Sequence, residues 1–306
     1  MMNKRKIIAG IIASVLLAGI VVSGLVVDQQ NGSNGNAVVR IGSKDFTESQ
    51  ILGEIYALAL EDNGYQVERT FNISGLLVHP SLLNGEIDLY PEYTGTGLLS
   101  ILKLPRMDDP EAVYQTVKKA YAEKFNITWL DYAQATDGQG IVVRTDVAEK
   151  LGIRTISDLQ KHAHEIRFAS QGKFDAREDG FPGMEKTYGK FDWISSTVYD
   201  NSLKYPVLEN NEADATPAYT TEGQLVNKDK FRLLEDDKRC WPPYNIAPVI
   251  RTSFLDDHPD IAGILNAISA HLTTDKMTEM NAKVDVDGEN YKDVAKAFYD
   301  SLPKNK

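Results

Sequence analysis

Tyrosines at strand ends, and a lysine and an arginine in turns, are the groups of this chain best placed for binding chemistry. Tyr93 lies in Pro91-Glu92-Tyr93-Thr94-Gly95-Thr96, directly after the apolar-polar alternation Ile87, Asp88, Leu89, Tyr90. A strand ending in such a turn presents a ring, two hydroxyls and a glycine at the sheet edge, where open α/β sheets hold ligands. Lys44 sits in Gly42-Ser43-Lys44-Asp45-Phe46-Thr47-Glu48-Ser49, a strand-to-helix turn. Its backbone N–H groups and ammonium suit a carboxylate or phosphate; an ordinary turn capped by Thr47 is the alternative. Arg177 belongs to the irregular loop from Phe174 to Gly183, where a guanidinium can fork onto a carboxylate; a solvated loop is the plainer reading. Two more aromatic segments, Ala218-Tyr219-Thr220-Thr221-Glu222-Gly223 and Trp241-Pro242-Pro243-Tyr244, come after a strand or sit in proline-fixed turns. Taken singly, a tyrosine at a strand end packs against its neighbours and satisfies its hydroxyl nearby.

The elements that must position these groups alternate short β-type runs with helical patterns, which predicts an α/β fold of βα units around a largely parallel sheet. Strands are expected at Val38–Gly42, Gln66–Phe71, Ile87–Tyr90, Gly140–Arg144, Arg167–Ser170, Ala215–Tyr219, Arg232–Leu234 and Ala247–Arg251. Helices are expected over Glu48–Asn63, stopped by Asn63-Gly64, and over Asp109–Phe125, with Pro110 in the first turn. Asp260–His271 and Asn290–Leu302 make the C-terminal end helical. No internal repeat is expected.

Composition bounds the partner. The chain has 306 residues, 42% hydrophobic and 25% charged, with a formal net charge of −11. That is a globular chain long enough for two lobes, and its acidity argues against nucleic acid or an anionic membrane surface as the main partner. The single Cys240 excludes an intramolecular disulfide and a cysteine-based metal cluster. At the start, Lys4-Arg5-Lys6 precede an uncharged apolar run from Ile7 to Val27, the pattern of a signal peptide or signal anchor. The run is long enough to span a bilayer, and the positive-inside rule places the chain from residue 28 onward outside the cytoplasm. Retention as an anchor is favoured over cleavage near Val22-Ser23-Gly24. Asp28 to Asn36 reads as a flexible tether.

Signatures of an enzyme are missing from the sequence. His162 and His164, on an expected helix, point to different faces, and the five histidines form no H-E-x-x-H pattern. Asp285-Val286-Asp287-Gly288 faintly matches a calcium loop, but its later ligands are out of register. There is no Gly-x-Ser-x-Gly elbow or phosphate-binding loop, and Cys240 has no histidine nearby in sequence. No catalytic residue, metal or cofactor is expected.

In combination, the segments resemble the extracytoplasmic substrate-binding proteins of ABC transporters for osmoprotectants such as glycine betaine, choline and carnitine. The resemblance runs from about Val38 to Leu302. It is carried by Ile41 to Glu48, Gly85 to Thr96, Arg177-Glu178-Asp179-Gly180, Ala218 to Gly223, and Asp236-Asp237-Lys238 through Pro242-Pro243-Tyr244. It implies a two-lobed type II periplasmic-binding-protein fold, preceded by an N-terminal signal or anchor helix (1–27) and a linker (28–36). The first lobe would comprise 37–138 and 246–306 and the second 139–245, with crossovers near Thr136–Gln139 and Tyr244–Ala247. A permease and its ATPase on other chains are the implied partners, with a small zwitterionic or cationic solute.

A trimethylammonium group has charge but no N–H to donate, so aromatic faces suit it where a hydrogen-bonding cage does not. The resemblance implies a cage of Tyr93, Tyr219 and Tyr244, with Lys44, Thr96 and Arg177 toward a carboxylate and Asp137 and Gln139 beside them. Closure would bring Tyr219 and Arg177 toward Tyr93, Thr96 and Lys44. Two positions depart from the family: Gln139 stands where another cage tyrosine is often found, and Lys173 where a glutamate is. A missing ring weakens quaternary-ammonium binding by roughly 0.5–2 kcal/mol, up to about thirtyfold, unless Tyr132 or a tryptophan fills in. A different small solute, or a membrane-anchored sensory module, are the alternatives.

Overall fold

The computed structural model describes residues 38–303, so the leader and the tether lie outside the described residues, as does the side chain of Lys173. The described chain is built on two five-stranded sheets. The first has the order β2-β1-β3-β10-β4, from β1 (Val38–Lys44), β2 (Gln66–Ile73), β3 (Leu89–Tyr93), β4 (Ile127–Trp129) and β10 (Ile246–Arg251). The second has the order β7-β6-β8-β5-β9, from β5 (Gln139–Arg144), β6 (Arg167–Ser170), β7 (Ser195–Val198), β8 (Ala215–Tyr219) and β9 (Phe231–Leu233).

Both sheets are mixed, where the sequence predicts largely parallel pairing. β10 runs antiparallel to β3 and β4, and β5 antiparallel to β8 and β9. The reason lies in the connectivity: β5 and β10 are the strands that directly succeed the two passages between sheets, and each enters its new sheet from the end opposite to the βα strands. The passages run side by side. Thr136 and Asn245 form an antiparallel bridge, the Asp137 N–H donates to the Tyr244 carbonyl at 3.1 Å, and the Ile246 N–H donates to the Ala135 carbonyl at 3.1 Å.

Helix α1 (Thr47–Asp62) buries Ile51, Leu52, Ile55, Tyr56 and Leu60 against the first sheet, while Asp62 faces solvent. Its N-cap is Phe46, without a side-chain cap, and the Thr47 hydroxyl instead donates to Asp285 Oδ1 at 2.6 Å. The Thr47 cap of the alternative reading is therefore not formed, and Asp285 is engaged by a hydroxyl at the last position of α4 (Thr274–Asp285). Helix α2 (Pro110–Phe125) is capped as its sequence predicts, with Asp109 accepting from the Ala112 N–H at 2.8 Å and Pro110 in the first turn. Its apolar face, Val113, Val117 and Tyr121, packs with fully buried Trp129. Burying side chains of this size contributes roughly 1.5–3 kcal/mol each. Helices α3 (Asp260–Ser269) and α5 (Tyr291–Ser301) complete the C-terminal end. The helix expected to carry His162 and His164 stops at Lys161, so His162 is its C-cap and His164 lies in a short 3₁₀ turn.

The structure also exposes an internal repeat that the sequence reading misses. Residues 79–97 and 205–223 align without a gap, sharing Pro80/Pro206, Leu82/Leu208, Asn84/Asn210, Glu86/Glu212, Asp88/Asp214, Pro91/Pro217, Tyr93/Tyr219, Thr94/Thr220 and Gly97/Gly223. The two copies are anchored alike. Arg40 donates its backbone N–H and Nε to Asp88 at 2.8 and 3.0 Å, and Arg167 makes the same two bonds to Asp214 at 2.9 and 2.9 Å. Each aspartate precedes the strand, β3 or β8, that ends in a site tyrosine.

Candidate functional site

Strand ends and the paired passages bring most of the expected binding groups into one region. Tyr93 closes β3 and is 3% exposed; its hydroxyl donates to Glu48 Oε1 at 2.8 Å, and its ring lies 6.0 Å from that of Phe46. Tyr244 lies in the second passage with its ring against Gly95, where a Cβ would come within 2.6 Å of Tyr244 Cδ1. The Tyr244 hydroxyl donates to Asp179 Oδ2 at 3.3 Å, and Arg177 donates Nε to Asp179 Oδ1 at 2.7 Å. Asp179 therefore links the second-sheet loop to the tyrosine of the passage. Tyr219 closes β8 and remains 43% exposed, an open ring beside the exposed Arg177 and half-buried Gln139.

The electrostatics reflect this crowding. Burial raises the Tyr93 phenol well above its ordinary value, and the fields of Glu48 and Asp137 add to it. Burial also raises Tyr219, with the Arg177 charge opposing and Asp137 reinforcing. All of these rings stay neutral at physiological pH, as a cation cage requires. Burial pushes Asp179 up, but the hydrogen bond and charge of Arg177 more than offset it, so the carboxyl titrates below its ordinary range. Asp137 goes the other way. Burial raises it well above the usual carboxylate range, the Glu48 charge adds to the shift, and a hydrogen bond from Thr221 opposes it. Although the residue as a whole is partly exposed, its Oδ1 is buried and makes no hydrogen bond.

Lys44 takes a different position from the one its sequence suggests. Its ammonium is paired with buried Glu92 and stands 4.9 Å from the centre of the Tyr93 ring. Its charge is thus already partnered beside the Tyr93 ring. Thr96 is half-buried on the short helix Thr94–Thr96, directly beyond Tyr93. Tyr132, the candidate substitute for a missing ring, is occupied elsewhere: its hydroxyl donates to Glu111 at 3.0 Å and its ring packs on Tyr114 at 4.7 Å. Trp241 stays near the site, donating its indole N–H to the Asp179 carbonyl at 2.6 Å.

A cavity of roughly 610 Å³ opens beside this group, walled by Gln139, Gln171, Arg177, Tyr199, Asn201 and Tyr219 among others. Three of the expected residues, Gln139, Arg177 and Tyr219, line it; Tyr244 connects to it through Asp179 and Arg177, Asp137 is bonded to Tyr244, Tyr93 adjoins the second passage through Thr94, and Lys44 and Thr96 are not among its walls. Gln139 is the cross-strand partner of Tyr219, so the two side chains share one face of the sheet. A second cavity of roughly 670 Å³, between Leu225, Phe231, Arg232, Thr274, Thr278 and Glu279, contains no tyrosine and none of the expected groups. Of the two, the former is the candidate site, because it alone holds expected groups.

Sequence reasoning does not single out Glu48, Asn281 and Asp179, which the fold bonds to the candidate groups or to one another. Glu48 accepts from Tyr93 and, at 3.0 Å, from the Asn281 amide, which also donates to the Thr221 carbonyl at 2.8 Å. Asp179 is legible in principle, two residues from Arg177; Asn281 carries no local signal.

Among the described residues no group of histidine, cysteine, aspartate and glutamate is arranged to hold a metal ion, and no helix is long and apolar enough to cross a membrane.

Comparison with known proteins agrees with this architecture. Residues 37–301 match the family model for the substrate binding domain of ABC-type glycine betaine transport systems. The chain is 33% identical over 264 residues to the ergothioneine transport permease/ergothioneine binding protein EgtU of Helicobacter pylori, covering 86% of this chain and 47% of that protein, so it spans about half of that relative's length. It is 30% identical over 286 residues to the carnitine transport binding protein OpuCC of Listeria monocytogenes, covering 92% of each. The crystal structure of a glycine betaine/carnitine/choline ABC transporter superposes with a TM-score of 0.79 at 27% identity, covering 86% of this chain and 97% of that one. Two mixed α/β sheets joined by two passages are thus the two-lobed type II periplasmic-binding-protein fold. With tyrosines at equivalent strand ends of both sheets and a family match over nearly all of the described residues, the chain belongs to the family of substrate-binding domains of ABC-type glycine betaine transport systems.

Proposed function

We propose that the protein captures a small betaine, a zwitterion or cation with a quaternary ammonium head, outside the cytoplasm and delivers it to an ABC permease driven by its ATPase. The observation that carries this reading is the open Tyr219 ring beside Arg177 on one cavity wall, with Tyr93 and Tyr244 held close by through Asp179 and the passages. Rings suit the desolvated methyls, and Arg177 supplies a carboxylate partner once a ligand competes with Asp179. Asp137, whose buried Oδ1 lacks a partner, supplies negative charge to the cationic head once the bound cation favours its ionised form. Lobes of 37–138 with 246–306, and 139–245, close on the solute, covering Tyr219 as they meet. The apolar N-terminal run exports the chain and serves as its anchor or signal peptide.

The cavity wall supports a finer reading. Gln139 replaces an aromatic wall with an amide, and Gln171, Tyr199 and Asn201 add more hydrogen-bonding groups than the single carboxylate of glycine betaine needs, while its trimethylammonium can use none. That lining favours a betaine with a polar substituent, as in the ligands named for the EgtU and OpuCC relatives, over glycine betaine itself.

Calorimetric titration with glycine betaine, choline, carnitine and ergothioneine tests both levels. Binding of at least one, weakened at least tenfold by Tyr219→Ala and Tyr93→Ala, supports the betaine reading. Heat from none of them refutes it, and glycine betaine binding tighter than carnitine and ergothioneine refutes the finer one.

A further inference from the structure

The internal repeat places one threonine after each strand-end tyrosine, and the two threonines make the same three hydrogen bonds. Thr94 donates its backbone N–H to the Asn245 carbonyl at 3.0 Å, donates its hydroxyl to the Pro243 carbonyl at 3.1 Å, and accepts from the Asn245 N–H at 3.0 Å. Thr220 donates its backbone N–H to the Gly138 carbonyl at 2.9 Å, donates its hydroxyl to the Thr136 carbonyl at 3.1 Å, and accepts from the Gly138 N–H at 2.9 Å. In both cases the hydroxyl clasps residues j and j−2 of a passage between the sheets. The two clasped tripeptides, Pro243-Tyr244-Asn245 and Thr136-Asp137-Gly138, are bonded to each other through Asp137 and Tyr244, and the Thr136 hydroxyl also accepts from the Tyr244 N–H at 3.1 Å.

We infer that Thr94 and Thr220 are a matched pair of positioning residues that fix the hinge to the binding groups. Each comes directly after a site tyrosine, Tyr93 or Tyr219, and each clasps a tripeptide whose central residue, Tyr244 or Asp137, is itself a binding group. A passage cannot bend at the clasped residues without moving the tyrosine beside the clasp. Thr94 thereby ties Tyr93 to Tyr244, and Thr220 ties Tyr219 to Asp137, so lobe rotation carries intact pairs of groups instead of scattering four separate ones. Neither threonine needs to touch the ligand. Their surroundings differ: Thr94 is fully buried and Thr220 half-buried, so water can replace the lost hydroxyl more readily at Thr220.

The test replaces each hydroxyl with a methyl of the same shape, in Thr94→Val and Thr220→Val, with Thr94→Ser and Thr220→Ser as the conservative variants that keep it. The first readout needs no ligand. Spin labels on exposed Glu61 and Lys190, introduced as cysteines in a Cys240→Ser chain, report the distance between the two halves. The valine variants should broaden that distribution, Thr94→Val more than Thr220→Val, and the serine variants should restore it. The second readout is calorimetric affinity for carnitine and glycine betaine, expected to fall roughly tenfold in Thr94→Val and less in Thr220→Val, since each change unmakes the two hydrogen bonds of one hydroxyl and only that of Thr94 is fully buried. Should Thr94→Val fail to fold, Thr220→Val carries both readouts. Valine variants that only melt earlier, with distances and affinities unchanged, would overturn the inference and leave the threonines as ordinary stabilising contacts. If neither betaine binds even the unmodified protein, the ligand reading fails while the distance measurement still decides the hinge.

Discussion

Gln139→Tyr puts the logic of the cage to a quantitative trial. Gln139 opens β5 directly across from Tyr219 in an antiparallel pair, and both side chains line the same cavity. A tyrosine there would stand beside Tyr219 and supply the wall that the amide leaves out. Another ring facing a quaternary ammonium contributes about 0.5–2 kcal/mol, so glycine betaine should bind roughly two- to thirtyfold tighter. The cross-strand aromatic pair should also stabilise the free protein by about 0.2–1 kcal/mol, seen as a higher melting temperature. A ligand that uses the Gln139 amide should lose one hydrogen bond, about 0.5–1.5 kcal/mol, so its affinity should drop by up to about tenfold. Calorimetry with glycine betaine and ergothioneine on both proteins measures the two shifts together, and opposite signs are expected. If glycine betaine binds Gln139→Tyr no more tightly than the unmodified protein, the ring count does not set affinity here and the cage is refuted.

Other perturbations separate support from contact. Lys44→Met removes the partner of buried Glu92, so chemical denaturation should show a loss of about 3–5 kcal/mol, the cost of stranding a buried charge; a loss under about 1 kcal/mol would mean that water reaches Glu92. Gly95→Ala places a methyl against the Tyr244 ring, and displacing that wall should weaken betaine binding by about 1 kcal/mol or more, whereas unchanged affinity would remove Tyr244 from the site. Asp137→Asn bears on pH. Because the folded Asp137 titrates above its unfolded value, the acid contributes stability at low pH and loses it as pH rises through its raised folded value. The asparagine variant should therefore melt higher than the unmodified protein at about pH 7–8, with the gap closing as pH approaches about 4, the ordinary aspartate range. A gap independent of pH would show that Asp137 is not a strained buried acid.

The places where the sequence is legible share a physical character. β6 and β8 lie where predicted, and α2 with its Asp109 cap does too, because each couples an apolar run to a local stop signal. β4 escapes the sequence because three residues after a helix carry too little alternation to register. β7 is a solvent-exposed edge, Ser-Ser-Thr-Val, with no apolar face to betray it. Mixed pairing is hidden because strand direction is set by the passages, which have no periodicity of their own. The internal repeat is masked because its copies keep the anchors, Asp88/Asp214 and Tyr93-Thr94/Tyr219-Thr220, but change the apolar residues between them to suit different cores. At the site, the aromatic and cationic residues can be named in advance, whereas their partners cannot. Glu48 meets Asn281 across a separation of 233 residues, and Lys44 spends its charge on Glu92, facts that only the folded chain supplies.

The central claim is that rings grip a positive charge, and a matched pair of ligands isolates it. Glycine betaine and 3,3-dimethylbutyrate have nearly the same shape and the same carboxylate, but a neutral carbon replaces the quaternary nitrogen in the second. Titrated side by side into the unmodified protein, glycine betaine should bind at least tenfold tighter, and most of that ratio should vanish in Tyr219→Ala. Equal affinity for the two would contradict the account, since the site would then be selecting shape and carboxylate alone.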